Sequence, residues 1–161
     1  AGGGIVINMG VHSVDKIQWV TDSRVSTVKA MLSEQSFKGN VEGSGLIHME
    51  MINKSGKKFP ASIALSGYHG VPESSTEIIC TYGKLKITEK ELLINEKDQS
   101  EYQTVQNIKQ TIPSILQLED LISLIEKEKN PDEYNDYAKS VIAAIDAIYQ
   151  SNDEGTEIKL Y

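Results

Sequence analysis

The sequence is short of cysteine, of basic charge and of long apolar runs, and each shortage removes a class of protein. A single cysteine, Cys80, cannot close an internal disulfide, so a reducing, cytoplasmic setting is expected. Lys and Arg total 16 against 23 Asp and Glu, a formal net charge of -7. No basic run is concentrated enough to displace counterions from a nucleic acid. No apolar stretch approaches the roughly 20 residues that a helix needs to cross a bilayer, and no signal-peptide core opens the chain. Nucleic acid and membrane are therefore not expected as partners. What is present is 161 residues, 39% hydrophobic and 24% charged, enough for one good core and too apolar for a disordered chain. No repeat or low-complexity tract interrupts it, and residues 1–161 are read as a single domain.

The chain opens with Gly2-Gly3-Gly4 and runs straight into Ile5-Val6-Ile7-Asn8-Met9-Gly10-Val11-His12-Ser13-Val14-Asp15-Lys16-Ile17-Gln18-Trp19-Val20. Its polar residues recur at helical spacing, which predicts a helix despite the β-branched side chains. At roughly 100° per residue, Asn8, His12, Asp15 and Trp19 share one narrow stripe, with Ile7, Val14, Ile17, Val6 and Gly10 opposite. A helix this apolar is expected to be buried, its polar stripe facing a cleft or a partner. Gly10 lowers helix propensity, so close packing against a neighbour is expected there.

The period then changes. Val25 to Phe37, Gly45 to Met51 and Lys57 to Ser66 read as strands, the last two joined by the turn residues Asn53-Lys54-Ser55-Gly56. Thr76 to Thr81, Lys84 to Thr88 and Glu91 to Ile94 read as three more. In the final third, Ser114 is placed to cap a helix to about Lys127 that buries Ile115, Leu118, Leu121, Ile122 and Ile125. After the Asn130-Pro131-Asp132 break, Asn135 is placed to cap another helix. It carries the stripe Ala138, Val141, Ile142, Ile145, Ile148 and Tyr149. Gly155 ends it, and Thr156 to Leu160 reads as a closing strand. The expected class is α+β, an open, mainly antiparallel sheet with helices packed on one face.

Three histidines carry the candidate chemistry. His48 reads as a sheet-face residue and His69 lies in a loop, and neither has metal-like neighbours at short spacing, so no metal site is expected. His12 has company: Asn8 one turn before it and Asp15 on the same face. Spacing allows a buried imidazole tied to Asp15, and equally a general acid/base tuned by its neighbours, with the Asn8 amide both donating to and accepting from a substrate hydroxyl. The glycine triplet before a helix invites a phosphate-binding reading, but no strand precedes it and neither nucleotide fingerprint is matched. Asn53-Lys54-Ser55 fits a glycosylation sequon by chance composition alone.

The run Gly2 to Asp15, with three glycines, then Asn8, Gly10, His12 and Asp15 at these spacings, resembles a signature of the glucose–fructose oxidoreductase / inositol dehydrogenase (Gfo/Idh/MocA) family. Glu77 to Ile87 is similar to that family's strand–turn–strand, its Gly-Thr-Lys-Gly turn altered here to Cys80-Thr81-Tyr82-Gly83. Ala138 to Leu160 resembles its last helix and strand.

The resemblance implies the C-terminal substrate-binding and oligomerisation domain of an NAD(P)-dependent oxidoreductase acting on a sugar or polyol CH–OH group. It implies His12 as the catalytic acid/base, with Asn8 and Asp15 as substrate-binding residues. Many members have Asp where Asn8 stands, and an amide holds no negative charge near the imidazole. NAD or NADP would be bound by an N-terminal Rossmann domain absent from this sequence, so this chain contains no cofactor-binding residue and is expected to be inactive alone. Pairing of sheet faces into a homo-dimer or tetramer is implied as well, through Ile47, Met49 and Met51 or through Leu46 and His48. Cys80 reads as a small buried filler. The alternative is a non-catalytic dimerising or sugar-binding α/β module in which His12 is structural.

Overall fold

The computed structural model describes residues 3–33, 39–67, 73–107, 113–127 and 132–160. They divide into two compact units, Ala1–His69 with Asn130–Tyr161, and Gly70–Lys129. The α+β class and the antiparallel pairing read from the sequence are present, distributed over two four-stranded sheets.

The first unit begins with a π-helical turn, Val6–Gly10, which continues into α1, Val11–Thr21. Asp22 ends α1 in the left-handed region, at φ 44° and ψ 51°. Strands β1 (Ser23–Ser33), β2 (Ser44–Asn53) and β3 (Lys58–Ser66) then form an antiparallel meander. Much later in the chain come the long helix α3 (Asp132–Glu154) and the short strand β8 (Ile158–Lys159), which pairs with β1. The strand order is β3-β2-β1-β8.

The alternation along β2 is the one its sequence predicts. Ile47, Met49 and Met51 are buried, while Leu46 and His48 are exposed. In β1 a bulge between Val25 and Thr27 inserts one residue. That extra residue shifts the inward set from Val25 to Val28 and Ala30. The inward face meets Val6 and Val14 of the first helix and Val141, Ala144, Ile145, Ala147 and Ile148 of α3. Of the two sets considered for self-association, Ile47, Met49 and Met51 are therefore consumed by the chain's own core.

The end of α3 also closes the edge of β1 beyond its short pairing with β8. Ser151 Oγ accepts from Ala30 N–H at 3.0 Å, and Asn152 Oδ1 accepts from Leu32 N–H at 2.8 Å. Unpaired strand amides at an open edge would otherwise invite another chain.

Three details differ from the sequence reading of this unit. Ile7 and Val20 are 43% and 39% exposed, so the first helix is covered along one stripe and open elsewhere. Ile142 is exposed on α3, where Ala144 and Ala147 fill the core instead. Helix α3 also starts before Asn135, which therefore does not cap it.

The second unit is a meander of β4 (Ser75–Cys80), β5 (Gly83–Thr88), β6 (Glu91–Glu96) and β7 (Gln103–Asn107), with helix α2 (Pro113–Glu126). Strand β7 escaped the sequence reading because Gln103-Thr104-Val105-Gln106-Asn107 has a single large apolar residue. Two expectations are corrected here. Ile115, Leu118, Leu121, Ile122 and Ile125 are exposed, from 45% at Ile122 to 69% at Ile125. Periodicity decides which side chains share a face of a helix, and it is silent on whether anything lies over that face. Cys80, read as a buried filler, is exposed at the end of β4, because the tight turn to Gly83 brings it to the sheet's end.

Candidate functional site

The candidate residues ride on the first helix, so the setting of that helix is the geometry of the site. Its start leaves backbone N–H groups without intrahelical partners, and Ile5, at the capping position, has no side-chain acceptor. A distant segment supplies the acceptors. The Glu42 carbonyl accepts from Ile5 N–H at 3.0 Å, and Glu42 Oε1 accepts from Val6 N–H at 3.1 Å. The same Oε1 accepts from the Tyr149 hydroxyl at 2.6 Å. Burial, then the hydrogen bond to Glu42, pushes the Tyr149 phenol well above its ordinary pKa, while the Ile7 backbone N–H acts on it in the opposite direction.

Gly4 is required by this arrangement. A Cβ there would stand 2.3 Å from the Glu42 carbonyl oxygen and 2.5 Å from its Cδ. The glycine triplet thus lets the chain press against an internal carboxylate. A dinucleotide pyrophosphate does not fit these residues, because the helix N-terminus is already satisfied by a negative group of this chain.

From Val6 to Gly10 the turn is π-helical, and Val11 N–H donates to Val6 O, five residues back. One residue more than an α-turn is accommodated, and Asn8 sits within it, exposed. Gly10 is buried as expected, with the site of its missing Cβ 3.2 Å from Leu65 Cδ1. His12 is exposed on the first turn of α1. The buried imidazole bound to Asp15 is therefore not what forms.

Asp15 is engaged elsewhere. The Tyr137 hydroxyl lies 2.7 Å from Asp15 Oδ1 and 2.9 Å from its carbonyl oxygen, and the Arg24 guanidinium lies 4.7 Å from the centre of the Tyr137 ring. Burial, followed by the Asp15 bond, raises the Tyr137 pKa, and Arg24 opposes it weakly. One turn later Gln18 is wholly buried. Its Nε2 donates to Ser140 Oγ at 3.1 Å and its Oε1 accepts from Val25 N–H at 3.3 Å. Ser140 Oγ in turn donates to Tyr137 O at 2.7 Å. The helix is thereby fastened to β1 and α3 along one side, and Asn8 and His12 stay open to solvent.

The sequence reading missed Glu42, Tyr137, Tyr149 and Gln18. Only Gln18 left a signal: Val6, Gly10, Val14 and Gln18 follow at four-residue intervals, which puts an amide in line with the core residues. His48 is exposed on β2, opposite Lys29 and Ser62. His69 lies outside the described residues. An open depression of about 290 Å³ is lined by Asp22, Ser23, Arg24, Ile52, Asn53 and Lys54, and a second of about 220 Å³ by Met49, Glu50, Lys58, Phe59 and Pro60. Neither contains Asn8, His12 or Asp15. Among the described residues no group of three or more His, Cys, Asp or Glu is placed to hold a metal ion. No helix among them is long and apolar enough to cross a membrane.

The fold has counterparts among solved structures. An oxidoreductase-described protein from Thermotoga maritima superposes with a TM-score of 0.75 at 19% identity, over 98% of this chain and 47% of that one. An aldose-aldose oxidoreductase from Caulobacter crescentus, solved with glycerol, gives 0.72 at 22%, over 99% and 48%. The WlbA dehydrogenase from Bordetella pertussis, solved with NADH and UDP-GlcNAcA, gives 0.70 at 18%, over 99% and 48%. This chain spans about half the length of those structures. No curated protein matches it. The family described as the GFO/IDH/MocA C-terminal domain matches residues 1–86, more than half of the 161, and the chain belongs to that family.

Proposed function

We propose that this chain is the substrate-side domain of an NAD(P)-dependent oxidoreductase acting on the CH–OH group of a sugar or polyol. The observation that carries the reading is the placement of His12: inside the segment that matches the family, exposed, on a helix whose opposite side is fixed to the core. Under this reading His12 takes the proton from the reacting hydroxyl, which avoids a free alkoxide, and a well-placed group of this kind contributes roughly a hundredfold to ten-thousandfold. Asn8 holds a neighbouring hydroxyl through its amide. Asp15, held by Tyr137, presents its remaining acceptor capacity beside them. A nicotinamide on a domain outside this sequence supplies the two-electron acceptor. The relatives solved with glycerol, and with NADH and a nucleotide sugar, support the choice of substrate class and cofactor. Self-association through the outer face of β1 and β2, where Met31, Leu46 and His48 are exposed, belongs to the same reading.

The test is His12→Ala in a polypeptide that joins this chain to its dinucleotide-binding domain, assayed with NAD and NADP against a panel of polyols and aldoses. Turnover falls at least about a hundredfold while cofactor affinity holds. Unchanged turnover would refute the assignment.

A further inference from the structure

The cap at the start of the first helix has a use beyond stability. Its two side chains come from opposite parts of the sequence, Glu42 before β2 and Tyr149 from the third helix, and both converge on the turn that precedes Asn8 and His12. We propose that Glu42 and Tyr149 are positioning residues that set the relative orientation of Asn8 and His12. The inference rests on the functional reading above for its catalytic consequence.

The helix is held at two separate places. Beyond His12 it is tied to the third helix through Asp15 and Gln18. Before Asn8, besides the core packing of Val6, it is tied among the described residues by the Glu42 backbone carbonyl, the Glu42 carboxylate and the Tyr149 hydroxyl. Between those ties lies the π-turn, with its bond from Val11 N–H to Val6 O. Were that turn to relax to ordinary α-helical pairing, every residue before it would rotate by about 100° against every residue after it. Asn8 lies within the turn and His12 after it, so their relative direction depends on where the helix begins. The cap fixes that starting point. Gly4 lets the segment lie this close to Glu42, where a Cβ would stand 2.3 Å from the Glu42 carbonyl oxygen.

The experiment compares Tyr149→Phe, Glu42→Ala and Glu42→Gln. On this chain, hydrogen exchange of the Val6 amide is expected to accelerate about tenfold or more in Glu42→Ala, with the central amides of the third helix unchanged. The side-chain resonances of Asn8 and His12 are expected to shift in both Glu42→Ala and Tyr149→Phe. Glu42→Gln keeps a side-chain oxygen that can accept from Val6 and Tyr149, and is expected to restore most of the protection. In the enzyme joined to its cofactor domain, kcat for Glu42→Ala falls by up to about a hundredfold with cofactor affinity unchanged, the scale of a misplaced catalytic group. Unmoved resonances and unchanged exchange would overturn the proposal. So would an unchanged kcat in Glu42→Ala when His12→Ala abolishes turnover. A silent His12→Ala instead sinks the functional reading, and exchange and resonances then decide the cap by themselves.

Discussion

Replacing Gln18 by leucine isolates the buried polar junction that fastens the first helix. The two side chains are close in volume, so the change removes hydrogen bonding with little change in packing. Gln18 is wholly buried, and water has no ready access to replace it. Val25 N–H loses its acceptor, and an orphaned buried donor costs about 1–3 kcal/mol. The bond to Ser140 is lost too, worth about 1 kcal/mol, although the Ser140 hydroxyl keeps its acceptor on Tyr137. The added apolar contact of leucine offsets part of this, leaving a net loss of about 2–3 kcal/mol. For a unit of this size that lowers Tm by about 10 °C or more. Native-state hydrogen exchange at core amides such as Val14, Val28 and Ile145 reports on this unit alone, and urea unfolding gives the same free energy with an unchanged slope. In a double-mutant cycle with Ser140→Ala, the pair is expected to couple by at least about 0.5 kcal/mol. A loss below about 0.5 kcal/mol for Gln18→Leu would show that the junction is not a structural tie.

Two glycines of the same segment should behave in opposite ways. Gly4→Ala forces a methyl into the Glu42 backbone and is expected to destabilise by about 1–3 kcal/mol, whereas Gly10→Ala presses on the flexible tip of Leu65, meets Val6 at ordinary contact distance and gains helix propensity, ending within about 1 kcal/mol of wild type. Thermal unfolding of the two variants side by side checks the order, and equal losses would contradict the packing argument. Tyr137 and Tyr149 both have raised phenol pKa values in the folded state. Above about pH 10 the unfolded chain loses those protons before the native one does, so their stabilisation, complete below pH 10, declines as pH rises. Absorbance titration should show Tyr137 and Tyr149 ionising late, together with Tyr102, which its bond to Glu77 also raises, and one late phenol fewer in Tyr149→Phe. All seven tyrosines ionising together near pH 10 would exclude these raised phenols.

The secondary structure and its class were legible because local pattern encodes them. Strict alternation assigned Ile47, Met49 and Met51 to one side of β2 and Leu46 and His48 to the other, and the structure keeps that division. The turn at Asn53 to Gly56 was legible through its turn chemistry. The first helix was legible through its polar stripe, and His12 and Asn8 emerge exposed on it. The family resemblance was carried by the same short segment, whose spacing is a property of sequence order.

Tertiary structure decided what local pattern cannot encode. The same periodicity describes α2 and α3, yet α3 buries Val141, Ile145 and Ile148 while α2 leaves Ile115, Leu118, Leu121, Ile122 and Ile125 open, because burial depends on what arrives from elsewhere in the chain. Asp15 looked like a partner for His12, its neighbour in sequence, and is instead bound by Tyr137, 122 residues away. Glu42 and Tyr149 meet at one carboxylate oxygen across 107 residues, and no spacing rule links them. The sequence by itself determined most of the elements, β7 excepted, the faces of the strands and the residues offered for chemistry. Folding determined which acceptor caps the helix and which hydroxyl holds Asp15, since those pairings depend on through-space approach between segments that local order leaves free.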